Sequence, residues 1–537
     1  MSTYRYIYPL AVLGLFVLLV NFQLYRVYAT PLWLDDSYFA GVAKNLVLGK
    51  GYSGVYYDKI VPFDAGITAG PVVILPAALM IALFGNGYWV PGLTSLLLIS
   101  ALLMLAFHQL KHVAQALRWQ CGATFLLATL LLTNHEIGFP GENMMLWYKL
   151  LGEVPGALLV IIASLHIGAR RQNPQAIFAG GIIAGLAALC KLQSLIGGGV
   201  LGAYLAASYF MVPDKTQTSQ RQGLKNLFFY GLGVLIPIIL FEAVKLESLG
   251  MQSYLAMMGK MIFTVQGLHR YSLPGVVAKL RILGQYLGIG SNSGPHYIRR
   301  RYVVLALTAV LAAIFYYFLR FKRRLMFLSP LDWAAGALAS CAAVHLLWWI
   351  LIGTTEIPRH STQGIIYGCA ALALWISCIT SQNLYRGNII SCVLCLVLLY
   401  ARSDAAAYFW AEAPHKENLA EDQQVRQVLS AIQNQEPGIL IFSCGNALEM
   451  EYLLPKAANF TSCDNIFDPT FAHRKRMFLF FNAEDRVSHP EAGKNVTVAT
   501  APVGIFLRHI PEDVRKLCPN NDIYAGKHYF IASCHEL

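Results

Sequence analysis

Two adjacent carboxylates, Asp35 and Asp36, stand directly after the first long apolar run of this chain, in Pro31-Leu-Trp-Leu-Asp35-Asp36-Ser-Tyr. Beside a membrane surface such a pair suits two chemical tasks. One carboxylate can take a proton from an attacking hydroxyl. Both can hold a divalent cation, Mg or Mn, that neutralises a phosphate leaving group. A third role is purely structural, because an aspartate at a helix start satisfies free backbone N–H groups and complements the helix dipole. The pair alone leaves these roles open.

Further groups bear on the choice. Glu136 and Glu142 lie in Asn134-His135-Glu136…Glu142, and Glu153 follows, expected one or two turns inside the next apolar run. An acid within a span is costly and points to function by default. Lys191 ends Gly185-Leu-Ala-Ala-Leu-Cys-Lys191 at an expected interface, where a lysine either snorkels or serves a ligand. Arg359-His360 precedes another apolar run, and a guanidinium there can grip phosphate oxygens bidentately or anchor to lipid headgroups. Arg299-Arg300-Arg301 is a second basic cluster expected on the same side.

The elements that must position these groups are read from the apolar pattern. The chain has 537 residues, 56% hydrophobic and only 13% charged, with a mean hydropathy of +0.51. Soluble domains keep about a quarter of their residues charged, so lipid is the expected solvent for most of this one. Apolar runs recur at about 8–26, 88–108, 120–134, 147–168, 175–190, 195–212, 226–243, 302–319, 331–351, 362–380 and 388–401, which predicts about eleven spanning helices. The first reads as a span rather than a cleaved signal. The run from Gly70 to Phe84 is too short for a span, contains Pro71 and Pro76, and reads as a juxtamembrane or re-entrant helix.

Charge sets the orientation. Residues 403–537 carry 12 Lys+Arg against 17 Asp+Glu, and the preceding 402 residues carry 29 against 12. Most of those cations fall in alternate short loops, as positive-inside retention requires when the N-terminus is cytoplasmic. They form no aromatic-interleaved patch, so no nucleic acid partner is expected. Ten of the twelve acids before residue 403, including Asp35, Asp36, Glu136, Glu142 and Glu153, then fall on the outer side, which suggests a polar working surface there.

The first outer loop, about 29–87, predicts an amphipathic helix over Asp36–Leu48 closed by Gly49-Lys-Gly51. An Asp-Asp pair after the first span, followed by Asn45-Leu…Gly49-Lys-Gly51, resembles the GT-C glycosyltransferases, polytopic enzymes that use polyprenyl- or dolichyl-phosphate sugars. Ile67-Thr-Ala-Gly-Pro71…Leu83-Phe-Gly85 is similar to that family's outer-loop segment. Glu153 matches the place of its second acid, Gly185-Leu…Cys190-Lys191 its Gly-Leu…Thr-Lys, and Arg359-His360 a late Arg-Tyr motif. Cys190 and His360 depart from that pattern. The Asp-Asp form looks nearest to the arabinofuranosyl- and mannosyl-transferring branches.

The resemblance implies an enzyme of a bacterial inner membrane whose active site and C-terminal domain face the periplasm. It would move a sugar, arabinofuranose or another pentose or hexose, with inversion, from a polyprenyl-phosphate donor to a glycan, lipid or protein hydroxyl. It makes Asp35 the general base and Asp36 a ligand of acceptor or metal. Lys191 and Arg359, with His360 beside them, become donor-phosphate contacts, and Glu136, Glu142 and Glu153 contacts to acceptor or sugar. Some members of that family use a divalent cation and others do not.

The expected fold class is therefore an α-helical polytopic membrane domain over residues 1–402, with juxtamembrane helices in loop 29–87, and a small C-terminal α/β soluble domain over 403–537. That domain predicts strands near Gly438–Phe442, Met477–Phe481, Val496–Ala499 and Tyr529–Ile531. Its cysteines suit two disulfides, with Cys444–Cys463 and Cys518–Cys534 the plausible local pairs. Asn459-Phe-Thr461 and Asn495-Val-Thr497 match glycosylation sequons. The competing class is a polytopic transporter or lipid flippase, which predicts paired halves and broken helices; the sequence has no visible repeat.

Overall fold

The computed structural model describes residues 4–29, 32, 34–56, 59–133, 147, 149–210, 217–267, 275–280, 329–353 and 358–382. In the C-terminal part it describes 423–424, 427–431, 434, 440–444, 452–453, 460–462, 476–481, 522–525 and 529–534. Its order is α1 (Tyr4–Ala29), α2 (Leu34–Val47), a hairpin of β1 (Ser53–Tyr56) and β2 (Lys59–Pro62), and α3 (Pro71–Phe84). There follow α4 (Val90–Gln109), α5 (Gln115–Thr133), α6 (Glu153–Ala169), α7 (Pro174–Ala188), α8 (Ser194–Phe210) and α9 (Gln217–Gly267). Next come α10 (Pro330–Leu351), a 3-10 turn (Pro358–Ser361) and α11 (Thr362–Gln382), and finally strands β3 (Leu440–Cys444), β4 (Phe460–Ser462), β5 (Arg476–Phe481), β6 (Asp522–Ala525) and β7 (Tyr529–Cys534).

Among the described residues, four helices are long and apolar enough to cross a membrane, over Val90–His112, Arg221–Phe263, Pro330–Leu351 and Thr362–Ser381. Shorter apolar helices accompany them. The expected spans 302–319 and 388–401 lie outside the described residues. α3 occupies the run set aside as too short. Its 14 residues reach about 21 Å at 1.5 Å per residue, less than the roughly 30 Å of a hydrocarbon core. Leu75, Leu79 and Leu83 stand exposed along one of its sides while Val73, Ile74, Ala77 and Ile81 are buried, the pattern of a helix with one face to lipid.

The chain divides into two compact units. One comprises residues 1–24, 68–73 and 95–412; the other comprises 25–67, 74–94 and 413–537. In the first unit α6 is the central element. Every residue from Val154 to Leu165 is buried, and α7, α8, α10 and α11 pack against it. α7 and α9 approach almost backbone to backbone through Gly181 and Gly185, spaced one turn apart. A Cβ at Gly181 would stand 2.4 Å from the Tyr230 carbonyl oxygen, and one at Gly185 2.4 Å from that of Val234. Small residues at this spacing drive helix association where lipid removes the hydrophobic incentive. α7 starts on Asn173, whose side chain accepts from the Gln175 and Ala176 amides, with Pro174 at the first position. α10 starts on a capping box between Ser329 and Asp332. Both caps place the helix starts within a residue of the apolar pattern.

One boundary differs from expectation. The span expected from 147 begins its helix only at Glu153, after Lys149-Leu-Leu-Gly152 has formed an irregular approach. Glu153 is therefore the first residue of α6 and not a residue one or two turns inside it. α9 also exceeds the expected 226–243 and is broken at Gly250, where φ is 72°.

In the second unit, α2 packs on the β1–β2 hairpin. The antiparallel ladder runs from Ser53 opposite Pro62 to Tyr56 opposite Lys59. Gly49 ends α2 with φ 70°, the left-handed conformation glycine adopts without penalty. The five C-terminal strands form a sheet in the order β4-β3-β5-β7-β6. β3 pairs in parallel with β4 and β5, and β7 runs antiparallel to β5 and β6. The expected strands near 438, 477 and 529 match β3, β5 and β7, whereas β4 and β6 were not foreseen. Val496–Ala499, Cys463 and Cys518 lie outside the described residues. Cys121, Cys190, Cys341, Cys369 and Cys378 are free, buried thiols, filling the packing role expected of cysteines in spans.

Candidate active site

Asp35 and Asp36 occupy the first turn of α2, just after its first residue Leu34. The helix dipole stabilises both there. Their environments differ, since Asp36 is only 4% exposed while Asp35 is half-buried. The helix carrying them is held from its middle and its end. Tyr38 Oη donates to Asp64 Oδ2 at 3.0 Å, and the Gly66 amide donates to Asp64 Oδ1 at 3.3 Å. Gly54 on β1 makes room for this contact, because a Cβ there would lie 2.3 Å from Tyr38 Oη. At the other end Asn45 Nδ2 donates to the Ser53 carbonyl at 2.9 Å, and Tyr52 stacks on Phe63 with centroids 5.4 Å apart. Asn45 and the glycines after it thus serve to fold the chain back from α2 into the hairpin.

The same unit contains a link between the first outer loop and the C-terminal part. Asn86 Nδ2 donates to the carbonyls of both Tyr452 and Leu453 at 2.9 Å, and Tyr452 Oη donates to the Gly87 carbonyl at 3.0 Å. The loop and the C-terminal segment are therefore one packed body at this point.

In the first unit the structure brings Glu153 and Lys191 together. Lys191 Nζ lies 3.2 Å from Glu153 Oε1, with side chains 7% and 0% exposed respectively. Nζ also donates to Thr68 Oγ1 at 3.0 Å. Lys191 sits in the tight turn between α7 and α8, and that turn is zipped onto the segment before α3. Ala69 and Lys191 form an antiparallel bridge, and the Gly70 amide donates to the Cys190 carbonyl at 3.1 Å. Two glycines permit this approach. A Cβ at Gly70 would lie 2.0 Å from the Leu189 oxygen, and a Cβ at Gly152 2.0 Å from the Cys190 oxygen. The bland reading of Lys191, a lysine snorkelling to an interface, does not fit this burial. The pairing accounts for the burial of Glu153, since an isolated buried carboxylate is prohibitive and a paired one is tolerated.

Arg359 and His360 lie in the 3-10 turn that leads directly into α11. The His360 carbonyl accepts from His345 Nε2 of α10 at 3.0 Å. Gln363, in the first turn of α11, donates from Nε2 to the Glu153 carbonyl at 3.2 Å and to Ser194 Oγ at 2.8 Å. Glu136 and Glu142 lie outside the described residues. Among the described residues no three His, Cys, Asp or Glu side chains gather into a metal-holding cluster. Asp35 and Asp36 by themselves offer two carboxylates, the number a magnesium ion takes when substrate phosphate completes its shell.

Sequence reasoning did not single out Thr68, Lys149, Ser194, His345 or Gln363, all of which are polar and, apart from Thr68, buried. A signal existed for His345 and Gln363, which are polar residues inside or at the head of apolar runs. Thr68 had none, because its partner is 123 residues away in sequence.

No protein-family model matches the chain, and no curated protein matches it by sequence. Among solved structures, the crystal structure of ArnT from Cupriavidus metallidurans bound to undecaprenyl phosphate aligns with a TM-score of 0.54 at 12% identity, over 97% of each chain. The archaeal oligosaccharyltransferase AglB from Archaeoglobus fulgidus, in complex with an inhibitory peptide and a dolichol-phosphate, aligns at a TM-score of 0.49 and 10% identity, over 88% of this chain and 69% of that one. Identity at this level speaks for architecture and not for chemistry. The end-to-end likeness to ArnT shows that the two chains share a fold.

Proposed function

We propose that the chain is a membrane glycosyltransferase that draws its sugar from a polyprenyl-phosphate donor and works on the outer face of a bacterial inner membrane. The observation that carries this reading is the buried Glu153–Lys191 pair with Thr68 at its side. A largely buried lysine beside an exposed threonine hydroxyl suits an anionic partner arriving from the Thr68 side, since a cation with few solvent neighbours acts more strongly than one in solution. The fold adds to it, because ArnT in the matching crystal structure is bound to undecaprenyl phosphate. The acid-bearing turn of α2 supplies the remaining chemical group.

In this mechanism the acceptor hydroxyl oxygen attacks the anomeric carbon of the donor from the face opposite the phosphate. The bond between that carbon and the phosphate oxygen breaks, and polyprenyl phosphate departs with both electrons. The hydroxyl proton passes to Asp35, the more exposed of the two aspartates, and Asp36 orients the acceptor. Lys191, with Arg359 and His360 from the turn before α11, stabilises the charge growing on the leaving phosphate. Glu153 fixes the direction of Lys191, and the roles of Glu136 and Glu142 are contacts to acceptor or sugar. Inversion at the anomeric carbon follows from a single displacement. Asp35 and Asp36 would also hold a divalent cation where one is required, supplying further stabilisation of the phosphate.

Purified protein assayed against a panel of polyprenyl-phosphate sugars tests the reading directly. The expected result is transfer from at least one donor. Asp35→Asn should lower the rate by about 10²–10⁴-fold, the usual worth of a general base, while the variant remains folded and inserted. A variant as active as the parent protein removes Asp35 from the reaction.

A further inference from the structure

We infer that Gln363 is a positioning residue for donor binding, the tie that keeps the Arg359–His360 turn in register with the Glu153–Lys191 pair. This rests on the reading above, in which Lys191 and Arg359 meet the donor phosphate. Gln363 follows that turn by two residues, and its side chain is fully buried. One carboxamide nitrogen reaches both the first residue of α6, at the Glu153 carbonyl, and the first residue of α8, at Ser194 Oγ. Those two helix starts flank the Lys191 turn. Gly156 leaves the space for the contact, since a Cβ there would stand 2.3 Å from Ser194 Oγ and 3.2 Å from Gln363 Nε2.

The opposite side of the turn is pinned as well. A backbone carbonyl only accepts, so the 3.0 Å contact at His360 requires that His345 Nε2 carry the hydrogen. The turn is thereby held by α10 at His360 and by α6 and α8 at Gln363. The cost of this arrangement argues for a purpose. Among the described residues, Gln363 Oε1 and His345 Nδ1 are both buried without a hydrogen-bond partner, and each such orphan is destabilising. A leucine at 363 would avoid that penalty in an apolar bundle. Departures from the most stable choice are expected where a site must be placed accurately.

The test uses the full chain in lipid nanodiscs, with polyprenyl phosphate as the binding probe and donor turnover as a second readout. Gln363→Leu should weaken probe binding and raise the donor KM by about tenfold, the effect of a lost hydrogen bond transmitted to a charged contact. The acceptor KM and the melting midpoint should stay unchanged. Ser194→Ala, which removes one of the two bonds, should move the donor KM in the same direction by about threefold. With Lys191→Met already present, Gln363→Leu should weaken binding no further.

The proposal is overturned if Gln363→Leu leaves probe affinity and donor KM unchanged, or if its effect adds in full to that of Lys191→Met. If Gln363→Leu fails to fold, Ser194→Ala decides, and an unchanged donor KM there overturns the proposal. A parent protein that neither binds the probe nor uses any donor would overturn the functional reading together with this one, and that failure is visible without any variant.

Discussion

Helices α2 and α6 both begin with carboxylates in the first turn, and the protein uses the two starts differently. On α2, Asp35 and Asp36 adjoin a small helix-on-hairpin body, and Asp35 is half-buried. On α6, Glu153 is wholly buried and meets a lysine from another helix connection. The dipole favours an acid at either place by a fraction of a kcal/mol, so it does not explain the contrast. Desolvation does. Asp35 keeps contact with solvent and can exchange a proton with it, whereas Glu153, wholly buried, is matched by Lys191. Under the proposed function the first start supplies the base and the second anchors the lysine.

The largest effect should come from breaking the buried pair. Glu153→Ala leaves the Lys191 ammonium without its carboxylate and should cost ~3–5 kcal/mol, read as a lowered melting midpoint of the purified protein. Adding Lys191→Met should restore much of that stability, because both charges then leave together. Donor use should not return with it. Recovery of neither quantity would place the pair's importance elsewhere than in charge compensation.

Gly152→Ala probes the backbone that delivers Lys191 to Glu153. The new methyl would meet the Cys190 carbonyl at 2.0 Å, and overpacking of this kind costs ~1–3 kcal/mol. The expected signature is loss of both thermal stability and donor affinity. On the α2 side the effects should be smaller. Tyr38→Phe removes the bond to Asp64 and should cost ~1 kcal/mol, seen as faster amide exchange in α2 and the hairpin. Asp35→Asn, which is expected to all but abolish transfer, should cost no more than ~0.5 kcal/mol of stability, read from the melting midpoint. A large loss of stability there would erase the distinction between the two helix starts.

Much of the architecture was legible in the residues. The apolar runs placed α1, α4, α5, α7, α8, α10 and α11 to within a few residues, because lipid demands long apolar helices with every backbone group paired internally. The shortness of 70–84 separated α3 from the spans for the same reason, and Gly49 marked the end of α2. The β1–β2 hairpin escaped notice, since Ser53–Tyr56 and Lys59–Pro62 are four-residue strands without clean alternation. β4 and β6 are equally short. The start of α6 was misplaced because Trp147, Leu150 and Leu151 carry the apolar character back ahead of the helix, and hydropathy has no means of seeing an irregular approach. Among the candidate residues, Asp35, Asp36, Glu153, Lys191, Arg359 and His360 could be singled out by type and position, Gln363 only as a polar residue at the head of an apolar run, and Thr68 not at all.

Composition and apolar periodicity alone determined that this is a multi-helix protein for a lipid environment, and which ionisable residues stand at the ends of its apolar runs. Those are local consequences of solvent, readable one segment at a time. Only the tertiary structure decided that Lys191 faces Glu153 and Thr68, that Asn86 holds Tyr452 and Leu453, and that one glutamine joins the starts of α6 and α8. Such contacts link residues from about 38 to 367 positions apart, and no pattern along a chain records which distant helix ends will meet once their glycine-lined faces have packed.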